Sequence, residues 1–96
     1  MNLGKALQRI RFEKGMNQID VAKKAKITQT YLSQLETNKK KEPSKAVLQR
    51  LCKVYKVPQI VVSWYAVEEA DVPPQKKKLF SDLKPVVDSL IEGFLK

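Results

Sequence analysis

Gln29, Thr30, Ser33 and Gln34 fall within six residues of one another, interleaved with Tyr31 and Leu32 and followed by Leu35. At helical spacing Leu32 and Leu35 share a narrow apolar stripe, and the four polar side chains occupy the remaining surface. A glutamine amide both accepts and donates, which matches the N7 and N6 edge of adenine in the DNA major groove. Short hydroxyls such as those of Thr30 and Ser33 can touch a thymine methyl or a phosphate. Other chemistry is poorly provided for. The chain has no His and one Cys, so neither His-based catalysis nor a Cys- and His-built zinc site is available. It carries no nucleophile–base pair and no phosphate-cradling glycine loop. An enzyme is not expected, and no cofactor or metal is implied. Cys52 falls in an apolar helical pattern and reads as a buried structural thiol.

Charge points the same way. The 96 residues carry a formal net charge of +9, which favours a polyanionic partner. Residues 1–56 hold 14 Lys and Arg against 4 Asp and Glu, whereas residues 57–96 hold 5 against 6. The positive surplus therefore belongs to the part of the chain that contains the glutamines, as a localised phosphate-facing surface requires. Lys39, Lys40 and Lys41 lie just past Asn38, a residue able to end a helix in the left-handed conformation. Beside a DNA-reading helix this loop is expected to clamp phosphates, each contributing close to one unit of slope in log K against log salt. Lys76, Lys77 and Lys78 read as a solvated helix start. No run approaches the roughly 18 apolar residues of a membrane span, and the N-terminus lacks the apolar stretch of a signal peptide. A cytoplasmic protein without membrane contact is expected.

The elements that must position these side chains are short helices. Leu3, Leu7 and Ile10 share a face in residues 2–14, and Gly15 ends that run. Asn17 reads as an N-cap with Asp20 three residues on, opening a helix over residues 18–24 in which Ile19, Val21, Ala22 and Ala25 are available for packing. A turn at Ala25, Lys26 and Ile27 leads to Thr28, the N-cap of the helix over residues 29–36. Two helices of about eight residues joined by such a turn form a helix-turn-helix unit, whose second helix presents its N-terminal side chains to the bases. Ser44 caps a fourth helix reaching Tyr55, with Val47, Leu48, Leu51, Cys52 and Tyr55 on one side. Pro58 suits the first turn of a fifth, with Ile60, Val61, Trp64 and Tyr65 on its apolar side.

The stretch from Asn17 to Ala22 together with that from Thr28 to Glu36 resembles the lambda-repressor/Cro-type helix-turn-helix family, whose wider group includes many bacterial regulators of the xenobiotic-response-element type. The resemblance covers about two thirds of the chain, from Leu3 to Tyr65. It implies an all-α fold: a compact five-helix lambda-repressor-like bundle, followed here by a C-terminal amphipathic helical tail. The expected organisation is a DNA-binding domain over residues 1–67, a linker over 68–74 and the tail over 75–96. The resemblance implies that Gln18 bonds a DNA phosphate, with Asn17 beside it. It places Gln29, Thr30 and Gln34 at base-reading positions with Ser33 nearby, and pairs Arg11 on the first helix with Glu36 at the end of the third as a brace. Tyr31 has two readings, packing on a phosphate or sugar or lying against the lysine loop. The chain departs from the family where Lys26 fills a turn position usually held by Gly, where Lys56 replaces the Gly that commonly ends the fourth helix, and where Glu42 weakens the field of the lysine loop.

The tail repeats Leu79, Leu83, Val87, Leu90, Ile91, Phe94 and Leu95 at three- and four-residue steps. Pro85 interrupts it, so the helix either kinks there or begins near Pro85 as a first-turn residue; the favoured division is a short turn of helix at residues 75–80 and a main helix over residues 82–95. So many apolar groups must pack back on the bundle or pair with a second subunit. The expected function is sequence-specific binding of double-stranded DNA by a transcriptional regulator, a repressor. It would act as a homodimer on a palindromic operator, with recognition helices about 34 Å apart. The alternative is an antitoxin-type DNA-binding protein whose tail grips a partner protein.

Overall fold

A computed structural model describes residues 1–40 and 42–96; Lys41 lies outside the described residues. Six α-helices follow one another: α1 (Leu3–Glu13), α2 (Gln18–Ala25), α3 (Gln29–Glu36), α4 (Lys45–Tyr55), α5 (Gln59–Ala66) and α6 (Lys77–Ile91). Single 3₁₀ turns occupy Glu69–Asp71, Pro74–Lys76 and Glu92–Phe94, and no strand occurs among the described residues. The fold is the expected all-α bundle with a helical tail.

Local chemistry sets the helix starts. The side chains of Asn2, Asn17, Thr28 and Ser44 accept from the backbone N–H of Lys5, Asp20, Tyr31 and Val47, respectively. Each satisfies a donor that has no intrahelical partner. The ends rely on left-handed residues: Gly15 at φ 64°, Lys26 at 59°, Asn38 at 62° and Lys56 at 57°. Asn38 thus takes the conformation foreseen for it. The two lysines that replace glycine adopt the same geometry, at a cost of roughly 1–2 kcal/mol each for a residue with a Cβ.

The core is built from Leu7 and Ile10 of α1, Val21 and Ala25 of α2, Leu32 and Leu35 of α3, Leu51 and Tyr55 of α4, and Val61 and Val62 of α5. α1 packs against both α3 and α5, and α2 against α3 and α4. Gly4 lets α1 approach α3, because a Cβ there would sit inside the Leu35 carbonyl oxygen and against Asn38. Cys52 is buried in this core, and desolvation pushes its thiol pKa up.

Several sequence expectations are corrected. Ile19 and Ile60 are exposed, at 62% and 70%, and belong to no packed face. Pro58 caps α5 from outside the helix instead of occupying its first turn. The tail helix runs unbroken through Pro85, beginning earlier than expected at Lys77 and ending earlier at Ile91. Pro85 lacks the N–H that would bond to the carbonyl one turn back, but it lies on the exposed side of α6, where water can satisfy that carbonyl.

The tail packs on the bundle through one face. Trp64 Nε1 donates to Asp88 at 2.7 Å, Trp64 meets Phe80 with ring centroids 5.7 Å apart, and Ile91 and Leu95 are buried. Lys14 Nζ donates to the Phe94 carbonyl at 2.6 Å. Trp64 and Tyr65 are half-buried against the core, and the Arg9 guanidinium lies 4.1 Å over the Tyr65 ring.

Candidate nucleic-acid interface

α3 is held by its inner stripe. Leu32 and Leu35 are fully buried, and Glu36 ends the helix as one of two buried charged residues among those described, the other being Arg11. Arg11 Nε donates to Glu36 Oε2 at 2.7 Å and Arg11 Nη2 donates to Oε1 at 2.8 Å. This bidentate pairing fixes the angle between α1 and α3. Arg11 Nη1 donates to the Met16 carbonyl at 3.0 Å, tying the loop before α2 to the same guanidinium. The hydrogen bonds to Glu36 hold the Arg11 pKa above its ordinary value, against the desolvation that would lower it.

Gln18 joins this brace. Its Nε2 donates to Glu36 Oε1 at 3.0 Å, so the first residue of α2 is anchored to the last residue of α3. An amide nitrogen carries two N–H groups, and one is spoken for by Glu36. The side chain assigned to phosphate by resemblance is therefore also a structural link between the two helices of the motif, a role that residue type and spacing did not signal. Asn17 likewise has local work: its Oδ1 accepts from Asp20 N–H and its Nδ2 donates to the Asp20 carboxylate at 3.0 Å.

The opposite side of α3 is polar and accessible. Gln29 and Thr30 are exposed, and Ser33 and Gln34 are half-buried. These four line one shallow surface depression together with Thr37 and Lys39. Thr37 was not singled out from the sequence. It stands one turn beyond Ser33, and its hydroxyl donates to the Ser33 carbonyl at 2.8 Å, so the i, i+4 step was the available signal. Lys39 and Lys40 are exposed just past the end of α3, where Lys40 N–H donates to the Gln34 carbonyl at 3.1 Å. Tyr31 is half-buried against the core, which neither sequence reading anticipated. The assignment made for Lys41 lies outside the described residues.

No grouping of three or more His, Cys, Asp or Glu able to hold a metal occurs among the described residues. No helix among them is long and apolar enough to cross a membrane. No curated protein and no solved structure matches the chain. The family profile described as helix-turn-helix matches residues 7–58, more than half of the chain. The span takes in α2, the turn at Lys26, α3 and the Arg11–Glu36 pair, and the chain belongs to the lambda-repressor-type helix-turn-helix family of DNA-binding transcription regulators.

Proposed function

We propose that the chain is a cytoplasmic transcriptional repressor that binds a palindromic operator as a homodimer. Gln29, Thr30, Ser33 and Gln34 read base edges, while Asn17, Gln18, Tyr31 and the lysines at positions 39, 40 and 41 grip phosphate. The observation that carries this reading is the division of α3 into a fully buried stripe and one polar depression that gathers the four reading residues. A helix so anchored presents its side chains without first having to be ordered, which is what specific readout needs. The second N–H of Gln18 serves phosphate while the first holds Glu36. Repression by occlusion requires nothing beyond the DNA grip and the subunit contact.

Selection of bound sites from random DNA, followed by quantitative binding, tests the assignment. Gln29→Ala and Gln34→Ala are each expected to cost roughly 1–3 kcal/mol on the selected site and to relax specificity there. Lys39→Ala and Lys40→Ala are expected to weaken all sequences alike and to lower the salt slope by about one unit each. Glutamine variants that bind the selected operator as the parent does would show the reading face to be misplaced. The antitoxin reading, with a partner protein gripped by the tail, draws on an observation it shares with the homodimer: Leu79, Leu83, Val86 and Leu90 of α6 remain exposed. Sedimentation that shows a monomer both free and on DNA would favour it over the homodimer.

A further inference from the structure

α6 carries two apolar stripes, and the bundle covers only one. The inner stripe (Phe80, Val87 and Ile91, followed beyond the helix by Leu95) packs on α5 and the core. The outer stripe consists of Leu79, Leu83, Val86 and Leu90, exposed by 53%, 47%, 58% and 72%. Steps of four, three and four residues are those of a coiled-coil seam. Continued one step in sequence at each end, the spacing reaches Lys76 and Gly93, which lie in the 3₁₀ turns flanking α6. The sequence of steps then reads the same from either end, so the stripe can be matched by a second copy of itself running in the opposite direction.

Charge selects that direction. α6 has no acidic residue in its first turn and no basic residue in its last. Instead Lys76, Lys77 and Lys78 crowd the positive end of the helix dipole, and Glu92 caps the negative end. This is the reverse of the arrangement that stabilises an isolated helix. A parallel partner would set three lysines against three. An antiparallel partner sets the lysines of each copy beside the glutamate and the unpaired carbonyls of the other.

We propose that the outer face of α6 is the self-association surface of this chain, covered by α6 of a second copy in antiparallel orientation. Leu79 lies against the partner's Leu90, Leu83 against the partner's Val86, and Lys76 beside the partner's Gly93 and the partner's Glu92. A Cβ built at Gly93 meets nothing within 4 Å, which leaves room for the incoming lysine. The proposal rests on the homodimer reading above and names its surface. A single two-helix seam buries less than the roughly 1,200 Å² of a stable interface. The free protein therefore associates weakly, and the pair is consolidated on two half-sites, where the second contact becomes intramolecular.

Cysteine scanning tests both surface and orientation, with Cys52 buried and silent. Leu79→Cys and Leu90→Cys are prepared separately and oxidised alone and mixed, free and on the selected two-half-site operator. A disulfide-linked dimer is expected from the mixture and from neither variant alone. Self-linkage of Leu79→Cys, or no linkage in the mixture, overturns the proposal. The double variant Leu83→Glu, Leu90→Glu provides the second arm. It is expected to sediment as a monomer and to lose operator affinity by about 100-fold, with half-site affinity and far-ultraviolet circular dichroism unchanged. If it instead keeps the parent's sedimentation and operator affinity, the α6 seam is wrong and the dimer stands. A parent chain that occupies the operator as one copy removes the dimer reading itself.

Discussion

The residue whose surroundings decide most is Glu36. Its side chain is fully buried, yet it receives two hydrogen bonds from Arg11 and one from Gln18. A buried carboxylate is tolerable only because those donors replace water. Arg11→Met leaves the charge with Gln18 alone and is expected to destabilise the fold by about 3–5 kcal/mol in urea titration. Replacing both partners, as Arg11→Met with Glu36→Leu, should recover much of that loss, because no orphaned charge remains. Such a double variant is expected to fold but to bind DNA poorly, since Gln18 loses the group that orients it. Gly4 makes a different kind of contact. Gly4→Ala would force its methyl into the Leu35 carbonyl, and a shift of α1 away from α3 is expected to cost about 1–3 kcal/mol in thermal or chemical unfolding.

At the scale of the elements, the helix-turn-helix owes its shape to caps and turns as much as to its apolar pattern. Thr28 holds the start of α3 and Lys26, in the left-handed region, sets the direction from which α3 leaves α2. α6 follows a different logic. Pro85 sits inside it, removes one backbone hydrogen bond and remains helical because the inner stripe is docked. Pro85→Ala restores the bond and relieves the ring clash. It is expected to stabilise the helix by up to about 3 kcal/mol, seen as a higher unfolding midpoint with unchanged DNA affinity. A lowered midpoint would mean that α6 needs the bend that proline imposes.

The whole molecule is a compact bundle with an appendage on one side. Its Cα radius of gyration is 13.9 Å, against about 12.5 Å for a compact chain of this length. One of the polar contacts that attach the appendage, that between Trp64 and Asp88, responds to pH. Burial alone would raise the Asp88 pKa, but hydrogen bonds from Lys84 and Trp64 outweigh it and hold the carboxyl below its ordinary value. A depressed carboxylate contributes stability in full above the unfolded value of about 3.9 and loses it as pH falls through the folded value. Acidification below pH ~4 is therefore expected to loosen α6 from α5. The emission of Trp64, the only tryptophan, reports the change, and Asp88→Asn should abolish that pH dependence. A Trp64 signal that titrates unchanged in Asp88→Asn would assign the change to other carboxylates.

The sequence alone determined what is local. The periodicity of Leu32 and Leu35, the caps at Asn17, Thr28 and Ser44, the left-handed Asn38 and the charge imbalance all depend on residue type and spacing within a few positions. They suffice for an all-α bundle and for a polar recognition face. The tertiary structure decided what depends on distant partners. Ile19 and Ile60 looked like core residues by type and turned out to face water, because no neighbouring element reaches them. Gln18 spends one donor on Glu36, eighteen residues away, a contact no local pattern encodes. The tail helix passed through Pro85 because docking against Trp64 outweighed a local helix breaker. The same docking divided its apolar residues into a covered stripe and an open one, since a helix of period 3.6 can bury only one side against a single neighbour.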